Sequence, residues 1–222
     1  MTTVAVMQPY FVPYAGYFRL FAAADVVVML DTVQFPRRGW VHRNRFALAS
    51  GASDWLTLPL TKPAYDAKIT ELRFAADARE RLERALPRFP LLAKGAAENH
   101  PLLARCLALG GGPVADYLVD LVRDLASTLG FAPQIVRGAE LDIDPGLHAQ
   151  DRIIAIARRC GATRYINSPG GRELYDAQAF DAAGMELHFL TPYGGSMESI
   201  LTRFLLEPVA AIADEIVRES LL

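Results

Sequence analysis

The chain has 222 residues, of which 52% are hydrophobic and 22% charged, so it can supply an ordinary packed core. A formal net charge of −2 excludes bulk electrostatic binding to a nucleic acid duplex. Its two cysteines, Cys106 and Cys160, lie too far apart for a CxxC pair, which excludes a disulfide framework or a zinc site and suits a reducing compartment.

The first residues, MTTVAVMQPY, show no basic leader before a long apolar run, and no stretch reaches ~18 uninterrupted apolar residues. The expectation is a cytoplasmic protein with no membrane span. TVAVMQ (Thr3 to Gln8) reads as a buried strand whose chain leaves the sheet at Pro9. An aromatic loop follows, then a helix over Ala15 to Asp25, and then VVVML (Val26 to Leu30), a run suited to a parallel strand covered on both faces. Strand, helix and strand in this order form a βαβ unit.

Residues 31 to 53 are polar, basic and aromatic with weak periodicity. Strands are expected at Asp54 to Lys62 and at Ala67 to Phe74. From Ala76 to about Gly112 the composition is helical, interrupted at Pro87, Pro90 and Pro101, which suggests a helical insertion or subdomain. The most regular helix is expected over Val114 to Leu129, with Tyr117, Leu118, Leu121, Val122 and Leu125 on one stripe. A strand near Gln134 to Val136 precedes a second βα-type repeat: helix Gln150 to Cys160, a stop at Gly161, and strand Thr163 to Asn167. A strand over Gly184 to Leu190 and a closing helix over Glu207 to Leu221 complete the chain. The fold class is α/β: Rossmann-like, a mostly parallel sheet flanked by helices, read as a single domain over residues 1 to 222.

Open parallel sheets bind ligands where their strands end. Gln8, Asp31 and Asn167 each end a predicted strand and would converge on one crevice if those strands are neighbours. The strongest chemical signal is DTVQFPRRGWVHRNR, which concentrates Arg37, Arg38, Arg43 and Arg45 with Gln34, His42, Asn44 and Trp40. Arginine forks suit phosphate and carboxylate groups, and an indole can cover a ligand. The loop MQPYFVPYAGYF adds Tyr10, Tyr14 and Tyr17 as a stiffened aromatic wall, with Gly16 allowing close helix approach. NSPGGRELY places Gly170, Gly171 and Tyr175 after another strand, where backbone can approach an anion. His42, the only histidine inside a polar cluster, is a candidate for acid–base work. No GxSxG elbow, HExxH or metal-ligand spacing is present, so no metal or other cofactor is called for.

QPYFVPYAGYFRL, DTVQFPRRGWVHRNR, WLTLPL, YINSPGGRELY and SMESIL together resemble the WbqC-like protein family over nearly the whole chain. The resemblance implies a setting in surface-polysaccharide or specialised-metabolite biosynthesis more firmly than a reaction. Where the family's run has Asn, this sequence has His42, which leaves Arg43 and Asn44 as the firmer carry-overs. The opening is also distantly similar to nucleotidyltransferases of the HIGH-motif superfamily, whose two loop histidines bind triphosphate. Here neither histidine is present and Tyr17 follows Gly16.

The reading that results is a small-molecule transferase, of acyl or aminoacyl type, acting on a phosphorylated or carrier-linked substrate. Phosphates or a pantetheine arm would lie against the four arginines, Asp31 would be the base, and Gln8, Asn44 and Asn167 would orient groups or hold the oxyanion. An acyl carrier protein is a candidate partner, and the helical section would suit a homodimer. Metal-dependent nucleotidyl transfer and a non-catalytic nucleotide-sugar or carrier-binding module stand as alternatives. All three depend on the aromatic loop and the arginine cluster sharing one cavity.

Overall fold

The computed structural model describes residues 1–220. It opens on the expected βαβ unit: β1 (Thr3–Met7), a 3-10 turn (Ala15–Phe18) running into α1 (Arg19–Ala23), and β2 (Val26–Met29). A hairpin follows, β3 (Arg43–Ala47) and β4 (Ser53–Thr57), and then three short helices, α2 (Ala78–Ala85), α3 (Pro90–Ala97) and α4 (Pro101–Leu107). The long α5 (Val114–Thr128) leads to β5 (Gln134–Arg137), α6 (Ala149–Arg159) and β6 (Arg164–Asn167). The described chain ends with α7 (Ala177–Ala182), β7 (Glu186–Phe189), α8 (Ile200–Leu206) and α9 (Val209–Ser220).

The main sheet is five-stranded, entirely parallel, in the order β5-β2-β1-β6-β7, with helices on both faces, a Rossmann-like arrangement. Both faces are buried. Val4, Val6, Val26 and Val28 pack with Ile153, Ile156 and Ala157 of α6, whereas Ala5, Val27 and Met29 face the opposite cluster, which includes α5. Strands buried on two sides need no polar alternation, which is why VVVM reads as continuous. Each fully buried valine contributes about 1.5–3 kcal/mol of transfer free energy. The strand order reverses direction between β1 and β6, the position at which parallel sheets commonly leave room for a ligand.

α5 and α6 follow their predicted stripes to within a residue or two at each end. Gly161 stops α6 with a φ of +71°, and the Ala162 N–H donates to the Ala157 carbonyl 3.0 Å away. The prolines of the helical section start helices: Pro90 and Pro101 open α3 and α4, where a missing N–H costs nothing. Leu82, Phe89, Leu92 and Leu103 then join the same buried cluster as Phe46 and Leu56 of the hairpin.

Three expectations need correction. Ala67 to Phe74 is no strand: Ile69–Glu71 is a 3-10 turn, and only isolated bridges form nearby. Its buried residues, Ala67, Ile69 and Leu72, plug the core singly from a loop. The stretch without clear periodicity contains β3. The expected closing helix begins two residues later than Glu207 and is preceded by α8; Leu221 lies outside the described residues. Among the described residues no helix is long and apolar enough to cross a membrane.

Candidate functional site

The loop after β1 is held under strain. Val12, fully buried, has a φ of +43°, a left-handed conformation that a β-branched residue rarely adopts. Such a residue costs on the order of 1–3 kcal/mol and persists only when its surroundings over-determine it. Here they do. The Val12 carbonyl accepts from Asn44 Nδ2 at 2.6 Å and from Ser199 Oγ at 2.7 Å. The Ile200 N–H donates to the Pro13 carbonyl at 2.7 Å, and the Phe11 N–H donates to the Val41 carbonyl at 3.2 Å. Three distant segments, the first loop, the start of the hairpin and the turn before α8, are thus tied to one peptide.

They enclose a cavity of about 250 Å³ lined by Tyr10, Pro13, Tyr14, Trp40, Asn44 and Met197. Each ring has a backing ring: Tyr17 lies 5.4 Å from Tyr10, Tyr193 5.7 Å from Tyr14, and Trp55 4.9 Å from Trp40, centroid to centroid. Gly16 is required at the foot of this wall. A Cβ there would run into the Tyr14 ring and stand 2.7 Å from the Tyr193 ring. Desolvation raises the Tyr10 and Tyr14 phenols above their ordinary pKa, so both stay protonated at neutral pH. Neither hydroxyl has a hydrogen-bond partner among the described residues. A second, more open cavity of about 430 Å³ shares Trp40, Asn44 and Met197 and adds Arg45, Glu198 and Thr202.

The structure redistributes the predicted site residues. Of the arginines, only Arg45 lines these cavities. Arg43 lies 4.0 Å over the Trp55 ring and donates to the Gly39 and Arg38 carbonyls at 3.1 and 2.6 Å. Arg37 donates to the Pro63 and Ala64 carbonyls at 2.9 and 2.6 Å, and neighbouring Gln34 donates to the Tyr65 carbonyl at 3.1 Å. These side chains staple loops together; the arginine-rich composition arises largely from that task. Arg38 is exposed and lines neither cavity.

Asp31 is no base. It is fully buried, accepts from Arg137 Nε and Nη2 at 2.8 and 2.7 Å, and takes the Ala139 N–H at 2.9 Å. Arg137 sits there because the β2–β5 register places it opposite Met29. Asn44 lines both cavities, but its Nδ2 donates to the Phe11 and Val12 carbonyls at 3.2 and 2.6 Å, and its Oδ1 accepts the Arg45 N–H at 2.7 Å. His42 packs edge-on to Phe35 with centroids 4.8 Å apart, and its Nδ1 is buried without a partner. Desolvation, then the nearby Arg43 charge, lowers its pKa to about 4, too low for a good base at neutral pH. Tyr17 forms the floor rather than the wall: it is buried, and its hydroxyl donates to the Gln8 carbonyl at 2.8 Å.

Asn167, Gly171 and Tyr175 lie together elsewhere. Asn167 Nδ2 donates to the Tyr175 hydroxyl at 3.2 Å, and a Cβ on Gly171 would stand 2.7 Å from that Nδ2, whereas Gly170 meets open space. Met197, Glu198, Ser199 and Thr202 join the site although none stands out as a site residue in the sequence, where SMESIL carries only part of the family resemblance. Their signal was the SMES run after a glycine turn, where Ser199 caps α8 by accepting the Leu201 N–H at 3.3 Å.

Similarity to other proteins runs through these same segments. The model of the WbqC-like protein family matches residues 8–197, from Gln8 to Met197 at the cavity. An uncharacterized protein, Rv1507c, of Mycobacterium tuberculosis is 27% identical over 194 residues, covering 82% of this chain and 78% of its own. No solved structure matches. With its family match spanning the strained loop, the hairpin and the turn before α8, this chain belongs to the WbqC-like protein family.

Proposed function

We propose that this protein is a small-molecule transferase, of acyl or aminoacyl type, whose activated substrate lies along the aromatic cavity and the groove that continues it. One observation carries the reading: two protonated, unpartnered phenols line an apolar cavity that runs into a groove holding a cation, Arg45, and a carboxylate, Glu198. The apolar or aromatic part of the donor fits among Tyr10, Tyr14, Trp40 and Met197, and its phosphate or pantetheine arm extends towards Arg45. In the transfer an acceptor amine or hydroxyl attacks the acyl carbon, and the carbonyl electron pair moves to oxygen. A phenol hydroxyl donates to that oxyanion, Glu198 takes the acceptor's proton, and collapse expels the thiolate or phosphate. The family resemblance supports a setting in surface-polysaccharide or specialised-metabolite biosynthesis.

The test is a turnover assay with acyl-CoA and aminoacyl donors and amino-sugar acceptors. Glu198→Gln should lower kcat by ~100-fold or more with little change in donor KM, and Arg45→Ala should raise the KM of phosphate-bearing donors. Unchanged kinetics in both variants would remove the proposed chemistry from this groove.

A further inference from the structure

We propose a second ligand site, for a nucleoside phosphate, in the crevice at the carboxyl edge of the main sheet. A cavity of about 390 Å³ opens there, within the range of small-molecule sites, and shares no residue with the aromatic cavity. It lies at the edge where strand order reverses, the position at which parallel sheets leave room for a ligand between diverging loops. Part of the lining is apolar: Leu30 just beyond β2, Val33, and Ile153 on α6. Leu174, 68% exposed, forms an outer flap that no neighbour covers, and the Tyr175 ring stands beside it. A planar base can be sandwiched between these surfaces.

The rest of the lining is polar and cationic. Arg152 lines the crevice half-buried, and no carboxylate among the described residues lies within 4.0 Å of it. His148 lines it too and makes no side-chain cap, so the first turn of α6 meets the crevice uncapped. Asp151, the acidic residue of that turn, is exposed and does not line the crevice. Gln150 Oε1 accepts the Asp176 N–H at 2.5 Å, which ties the start of α6 to the segment after Tyr175. Tyr175, whose hydroxyl is held by Asn167 at the end of β6 and lies 3.5 Å from the buried Tyr165 hydroxyl, completes the lining as a fixed ring. A free guanidinium facing an apolar slot selects a phosphate carried on a planar, apolar body. This site does not depend on the aromatic cavity being catalytic.

The test titrates the full chain with AMP, UMP, ADP and UDP, alongside adenosine, uridine and inorganic phosphate, and reads both Tm and calorimetric affinity. At least one nucleoside phosphate should raise Tm, while the nucleosides and inorganic phosphate bind at least ~10-fold more weakly. Arg152→Ala should cost ~10-fold or more in affinity, as should Leu174→Asp, whose exposed position leaves folding intact; Trp40→Ala should bind as the unsubstituted chain does. The proposal is overturned if no nucleoside phosphate binds, if inorganic phosphate alone accounts for the effect, or if both crevice variants bind normally. Loss of binding in Trp40→Ala alone would also overturn it, because the ligand would then occupy the aromatic cavity.

Discussion

Asn44 lines both cavities and also holds the loop that builds them. It satisfies two buried carbonyls of a strained turn, so Asn44→Asp, which keeps the shape and removes the donors, should destabilise by about 2–4 kcal/mol in urea unfolding. Asp31 is a second residue with a structural task. Removing its charge leaves the partly exposed Arg137 guanidinium with one partner, Asp116, and Asp31→Asn should cost about 1–3 kcal/mol. His42 gives a pH signature. Its folded pKa of about 4 lies below the ordinary 6.5, so between these values the unfolded chain binds the proton and the folded chain does not. Stability therefore holds above pH ~6.5 and falls as pH drops towards 4, and His42→Asn should flatten that limb in unfolding measured across the range. None of these three roles was legible in sequence. The residue types suggested chemistry, but their partners lie far away in the chain, and only the fold brings Arg137 to Asp31 or Val12 to Asn44.

Elements were legible where a single rule governed them. The two-sided burial of β1 and β2, the stripe of α5 and the glycine stop of α6 each leave a local trace. β3 left none, because its inward positions are Asn44 and Phe46, and one of them is polar. AKITELRF misled for the converse reason: β-favouring residues were spent one at a time on plugging the core from a loop. Elements also carry the aromatic wall. Gly16→Ala should push Tyr14 out of place at the start of the helix, weakening binding in the cavity more than it lowers Tm; equal and small effects on both would mean that the wall tolerates the shift.

At the scale of the molecule, the anticipated single crevice separates into two. The aromatic loop shares its cavities with Trp40 and Asn44 and with Arg45 alone of the four arginines, while Asn167 and Tyr175 lie together at the sheet edge. A transferase with separate donor and acceptor chambers would use such a division. The most direct measurement is a thermal-shift series of acyl-CoA, acyl-phosphate and aminoacyl donors against the unsubstituted chain, Trp40→Ala and Arg45→Ala. At least one donor should raise the Tm of the unsubstituted chain, with the shift abolished by Trp40→Ala and reduced by Arg45→Ala. No shift with any donor, or the same shift in all three proteins, would contradict the assignment of the aromatic cavity as the donor site.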